Sequence, residues 1–261
     1  MIKISRSGVA PVVNYAIGTY AGQSKCAIKT QALCDLFSAG PASYISGANT
    51  FTFDEDILKN DVFISVFKSS QNNKCCYCQN DLDPGEVEHF RPKGYFQQRL
   101  GGRIYRPGYY WLAYEWSNLL FACGGCNTSY KGNLFPIYNI SQRAKSHNDN
   151  HLLESPVLIN PLIDEPSTFI FFNKEKIKYR GPNRKGFRTI NILGLDRTAL
   201  NDQRREYLND IIVAKNGLSL SKRTSKETEA RGLWARYISQ KKRKYSKFSA
   251  MVNDSFKSTY L

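Results

Sequence analysis

A chain of 261 residues with 37 Lys+Arg against 22 Asp+Glu carries a net charge of +15, which favours a polyanionic partner such as nucleic acid, although a generally basic soluble protein shares the composition. No apolar run approaches the ~20 residues of a membrane span, and the best candidate, 111–123, is interrupted by Glu115, which excludes a transmembrane helix. The length allows one large domain or two small ones and can build a core without metal or disulfides, so a metal site has to be argued from its residues.

In chain order, the opening MIKISRSGVAPVVNYAIGTYAG places basic residues before a mildly apolar stretch. Pro11 and Asn14 break that stretch, which is too weakly hydrophobic for a signal peptide, and the expectation is a cytoplasmic protein. Residues 1–70 read as a mainly helical packing layer. Asp54 can cap a segment in which Ile57, Leu58, Val62, Phe63, Val66 and Phe67 recur at near-helical spacing. Residues 71–140 differ in texture, being dense in Cys, Gly, Pro and aromatics, and are the predicted chemical centre. In the third region, 141–261, SHNDNH (146–151) reads as a loop, with His147 and His151 as loop histidines. Residues 168–179 read as a β-hairpin. After Pro182 the pattern turns helical through Ile190, Leu193 and Leu195, and Asp196 is placed to cap a helix holding Leu200, Tyr207 and Leu208.

From Asn201 onward there are 14 Lys+Arg and 6 Asp+Glu, so +8 of the net +15 lies in the last quarter. There Trp234, Ile238, Tyr245, Phe248 and Val252 mark one stripe of a predicted basic amphipathic helix, while Lys241, Lys242, Arg243, Lys244 and Lys247 crowd the rest. Such a helix either docks with a solvated face or contacts phosphates.

Cys75 and Cys78 form one CxxC pair and Cys123 and Cys126 a second, 44 residues further on. Four thiolates in two knuckles suit tetrahedral zinc, and their use in a reduced compartment favours ligands over disulfides. Cys76, Cys26 and Cys34 read as ordinary buried thiols. The insertion carries GluValGluHisPheArgProLys, a short strand ended by Pro92 whose alternation puts His89 and Arg91 on one side and Glu88 on the other. Asn118 precedes the second knuckle and Asn127 follows it, with Lys131 one helical turn beyond Asn127. Tyr109, Tyr110, Trp111, Tyr114 and Trp116 could stack bases, but core packing is the expectation.

CxYC, EHFRPK, YYWLAYEWSNLL, CGGCN with its following Lys, and NLFP together resemble the HNH (ββα-metal) endonucleases. More closely they resemble the HNH effector subunits of Septu and related retron-linked anti-phage defence systems. The strong part covers Cys75 to Pro136, and weaker similarity extends to MIKISR, to the stretch around Asn160 and Pro161, and to that around Asp196. The resemblance implies an α+β fold, a ββα-metal core with a four-cysteine zinc site embedded in a mostly helical surround. It makes His89 the general base, Asn118 the brace of the loop that orients it, and Glu88 and Asn127 the protein ligands of a catalytic Mg²⁺ or Mn²⁺. Arg91, Lys93 and Lys131 become phosphate-binding candidates, each of which could equally be a solvent-facing charge. Asn127 stands where the motif's name has His, and Glu88 where many relatives use Asp. The implied activity is phosphodiester hydrolysis, of DNA by default or of structured RNA such as tRNA, beside an ABC/SMC-like ATPase partner. A zinc-stabilised nucleic-acid-binding module and a partner-docking subunit are the competing readings.

Overall fold

The computed structural model describes residues 1–82, 84–182, 184–244 and 246–256. Its first 24 residues are not helical, contrary to expectation: they run as extended chain and turns with isolated bridges Asn14↔Ser24 and Tyr15↔Ala21. Helix α1 (Lys25–Ala39) begins only where Ser24 can accept a hydrogen bond from the Ala27 amide. Helix α2 (Pro41–Ser46) follows, and α1 packs Phe37 against Tyr110 with ring centroids 5.0 Å apart.

The helix expected after Asp54 is two helices, α3 (Glu55–Lys59) and α4 (Asp61–Gln71). Asn60 separates them because its backbone is extended and its side chain accepts from the Val62 amide, which starts a new helix. Asp54 stands at the predicted cap position, yet its carboxylate makes no capping bond and pairs instead with Lys29 at 3.3 Å. Phe63 and Phe67 of α4 are fully buried, and Phe67 stacks on Phe121 at 5.6 Å.

The centre of the molecule is a two-stranded antiparallel sheet, β1 (Gly85–His89) paired with the strand Leu119–Cys123, in the register Gly85↔Cys123 to His89↔Leu119. The two-residue strands β2 (Phe96–Gln97) and β3 (Ile104–Tyr105) pair in the insertion between them, which makes the central partner strand β4. Gly85 has no substitute here, since a Cβ would meet the Phe121 ring at 2.5 Å. β4 passes directly into a π-helical segment, Gly125–Lys131, so strand, strand and helix follow one another around the cysteines. Tyr109, Tyr110, Trp111, Tyr114 and Trp116 are all buried, as packing requires and base stacking does not.

The hairpin is present as β5 (Ile170–Asn173) and β6 (Lys176–Tyr179). Helices α5 (Lys185–Ile192), α6 (Thr198–Leu220), α7 (Glu227–Lys242) and α8 (Ser249–Ser255) complete the chain. Arg197 takes the cap position of α6, while Asp196 accepts from the Asn201 amide at 2.9 Å. The single C-terminal helix expected from the aromatic stripe is likewise two. Arg243 is extended and Phe248 left-handed at φ 51°, so the chain turns between α7 and α8. Trp234, Ile238, Phe248 and Val252 nonetheless bury together, and Tyr245 lies outside the described residues. Part of the basic face is used internally: Lys241 lies 4.8 Å over the Tyr207 ring and Lys247 pairs with Asp81 at 3.2 Å.

Candidate metal centre and active-site cleft

The four paired cysteines converge. The first knuckle is shaped by Cys75, whose amide donates to Asn80 and whose carbonyl accepts from Gln79, a residue left-handed at φ 63°. It is pinned to β4 by the Cys76 amide on the Phe121 carbonyl and by the Gln71 amide, which donates to Phe121 and accepts back from it. Cys123 ends β4 and Cys126 is the second residue of the π-helical segment, and all four sulfurs lie within 4.8 Å of one another. Zinc–sulfur bonds of ~2.3 Å set tetrahedron edges near 3.8 Å, and the Cys78 and Cys123 sulfurs are 3.8 Å apart.

The donor set also suits a cation. Burial pushes the Cys75 thiol up, neighbouring sulfurs hold Cys78 and Cys126 up, and Cys123 is pulled down by the S–H groups turned toward it. Thiols packed this closely resist ionising side by side, and a bound divalent ion lets all four ionise. Arg197 adds a positive group from outside, its Nη1 3.5 Å from the Cys126 sulfur. The cluster can therefore hold zinc. Cys76 is buried beside it but outside the set, and Cys26 and Cys34 are only half-buried on α1.

Next to the cluster along the chain lies an open cleft of about 350 Å³ whose walls include Glu88, His89, Asn127, Thr128 and Lys93. His89 closes β1, half-buried, with Nε2 2.8 Å from the Ala113 carbonyl. A carbonyl only accepts, so Nε2 carries the proton and the lone pair is on Nδ1. Burial, with Lys93 and Lys131 nearby, pushes the imidazole down to about 3, so it is neutral at physiological pH. Asn118 holds the loop that supplies this carbonyl: it accepts from the Arg91 amide at 2.8 Å and donates to the Arg91 and Leu112 carbonyls at 3.0 and 3.1 Å. It does not touch His89, but it fixes the residue next to Ala113.

Glu88 is fully buried, and its Oε1 accepts from the Tyr77 hydroxyl at 2.9 Å and from Lys131 Nζ at 2.8 Å. Burial pushes its carboxyl up against the pull of Lys131 and Tyr77. Lys131 is as buried as Glu88 and also donates to the His89 carbonyl at 2.8 Å, so it ties the end of the π-helical segment to the end of β1. Arg91 is committed in the same way, to Glu154 at 2.8 Å and the His151 carbonyl at 3.1 Å. These two cations face carboxylates inside the fold, and neither lines the cleft. Lys93 alone of the three stands at the cleft, paired with Glu55 at its rim.

Glu86 was not singled out by the sequence. It lies two residues before Glu88 on the same face of β1, and its Oε2 accepts from Asn127 Nδ2 at 3.0 Å and Thr128 Oγ1 at 2.7 Å. A carboxylate here fixes the Asn127 amide, because only the NH₂ end can donate to it, and leaves Oδ1 as the free donor atom. The alternation GluValGlu was the available signal. His147 is a packing residue, its Nδ1 2.5 Å from the Tyr110 hydroxyl, and His151 lies in a short turn with its carbonyl on Arg91.

No family model matches the chain. The chain spans 62% of the length of the curated relative it matches. That relative is the Septu protein PtuB of Bacillus mycoides (strain KBAB4), to which it is similar at 37% identity over 186 residues, 66% of this chain.

Proposed function

We propose that this protein is a metal-dependent endonuclease of the HNH type that hydrolyses phosphodiester bonds in DNA as the effector of a Septu-like anti-phage defence system. The observation that carries the reading is His89, a neutral imidazole whose Nε2 is spent on a backbone carbonyl, at a cleft that also presents Glu88 and Asn127. Nδ1 is the atom that takes the proton from the attacking water. The likeness to the Septu protein supports the defence role. On this reading an ABC/SMC-like ATPase partner gates the activity.

The donors fit a hard cation: Asn127 Oδ1 is set by Glu86, and Glu88 adds a carboxylate beside it. A divalent ion held by these two residues, Mg²⁺ or Mn²⁺, would offset charge on the phosphate and the departing 3′ oxygen. The protein's own part is to hold Glu88 in place through Lys131 and Tyr77, to orient Asn127 through Glu86, and to keep His89 unprotonated. Glu86→Ala releases the Asn127 amide and is expected to raise the cation concentration for half-maximal cleavage by about 10- to 100-fold with little change in the saturated rate.

The test offers supercoiled plasmid and a tRNA pool to the purified protein at low salt, with and without Mg²⁺ or Mn²⁺, alone and with its ATPase. The expected result is nicking or linearisation of plasmid that requires the cation. Cleavage of tRNA alone would move the substrate to RNA. Tight nucleic-acid binding with no cutting of either under all four conditions would leave a binding or docking subunit and refute the nuclease.

A further inference from the structure

A second cavity, of about 220 Å³, lies off the cleft, lined by Phe96, Tyr105, Arg106, Pro107, Ile140 and Lys145 among others. No carboxylate lines it. Gln98 and Arg143 add polar groups to otherwise apolar walls, Arg106 at the edge has no acidic partner among the described residues, and Lys145 at the edge lies near Asp149. Phe96 and Tyr105 are stacked at 5.3 Å and 5° by the pairing of β2 with β3, and Arg143 lies 4.0 Å over the Phe96 ring. Arg106 is held in place, lying against Gly47 so closely that a Cβ there would meet its Cδ at 3.0 Å.

The volume is selective. A cavity of ~150 Å³ holds one benzene ring, and pockets for drug-sized ligands begin at ~300 Å³. At about 220 Å³ this one takes a single substituted aromatic ring system, with a negative group outside it against Arg106 and Lys145. An aromatic wall with cations at the mouth is the chemistry that binds a nucleobase and its phosphate.

Consecutive residues of the chain lead from the cleft to the cavity. Pro92 and Lys93 line the cleft, Gly94 and Tyr95 line a smaller hollow that shares Arg106 and Pro107 with the cavity, and Phe96 and Gln98 line the cavity itself. The run from Lys93 to Gln98 is at most ~18 Å long, about five steps of a nucleic-acid strand at ~3.4 Å each. We infer that this cavity receives one unstacked base of the strand whose phosphate occupies the cleft, so that the substrate is single-stranded or locally unpaired nucleic acid. The inference rests on the nuclease reading, and it adds a base-holding subsite to a phosphate-binding one.

Ile140, 59% exposed at the rim, allows the test, because Ile140→Trp fills the mouth without touching the cleft or the core. Binding of a dT 20-mer and of an abasic 20-mer is measured by anisotropy for the full chain and for this variant, with His89→Ala in both to prevent cutting. The expected result is an approximately tenfold loss for dT in the variant and none for the abasic strand. A strand of 5-iodouracil should photocrosslink to Phe96 or Tyr105, and the crosslink should disappear in the variant. Equal dT affinities with crosslinks elsewhere would overturn the subsite and leave the nuclease reading intact. Failure to bind any single strand would also overturn the subsite, whereas the nuclease reading falls only if plasmid and tRNA are both left uncut. Free 5-iodo-dUMP crosslinking as efficiently as the strand would put a free nucleotide in the cavity and refute the strand assignment.

Discussion

Cys126→Ser is expected to unfold the protein at ambient temperature, and a strong chelator is expected to do the same to the wild type. A structural zinc site contributes on the order of 10 kcal/mol of apparent folding free energy, and domains retain only ~5–15 kcal/mol in total. The length of the chain does not protect it, because the cluster sits where its parts meet. Cys75 follows α4, Cys123 ends β4, Cys126 begins the π-helical segment, and Arg197 at the start of α6 leans on the Cys126 sulfur. Cys76→Ser is the control, since Cys76 is equally buried but outside the cluster. Thermal melts of the two variants, with one zinc per chain by elemental analysis in the wild type, decide the matter. If the Cys126 variant melts with the Cys76 variant, the four sulfurs hold no ion that the fold needs.

His89→Ala is expected to lower cleavage by about 10²- to 10⁴-fold, the usual cost of removing a positioned general base, while the melting curve stays close to that of the wild type. The side chain is half-buried, and its one hydrogen bond goes to a carbonyl at the end of a turn, so removing it opens no large cavity. Asn118→Ala should differ in kind. Asn118 is buried and holds three backbone groups, so its loss is expected to lower stability and activity together. A single-turnover rate beside a melt for each variant separates the two roles. An active His89→Ala protein would remove the base assignment and with it the carrying observation of the proposal.

Local pattern disclosed the parts of this molecule whose causes are local. The two CxxC pairs and the hairpin over 170–179 follow from spacing and alternation within a few residues. The breaks after α3 and after α7 were not legible, because an apolar stripe continues across each one and is interrupted by backbone conformation alone, at Asn60 in the first and at Arg243 and Phe248 in the second. The roles of the basic residues were legible least. Arg91 finds Glu154 63 residues away and Lys131 finds Glu88 43 residues back, and a charge looks the same in sequence whether it faces water, phosphate or a buried carboxylate. Glu86 was overlooked for the opposite reason: its partner Asn127 was in view, but the register that brings it to β1 was not.

Cys126 and Asn127 are consecutive, so a soft sulfur and a hard amide oxygen branch from the two ends of one peptide bond. The thiol knuckle thus acts as the ruler from which the cleft is measured. An intruding ion such as copper(I), which is equally attracted to thiolates but has little use for four of them in a tetrahedron, would bend that ruler. Poisoning by a mismatched metal would then register as a misplaced amide oxygen in the cleft, in a protein that still melts as folded.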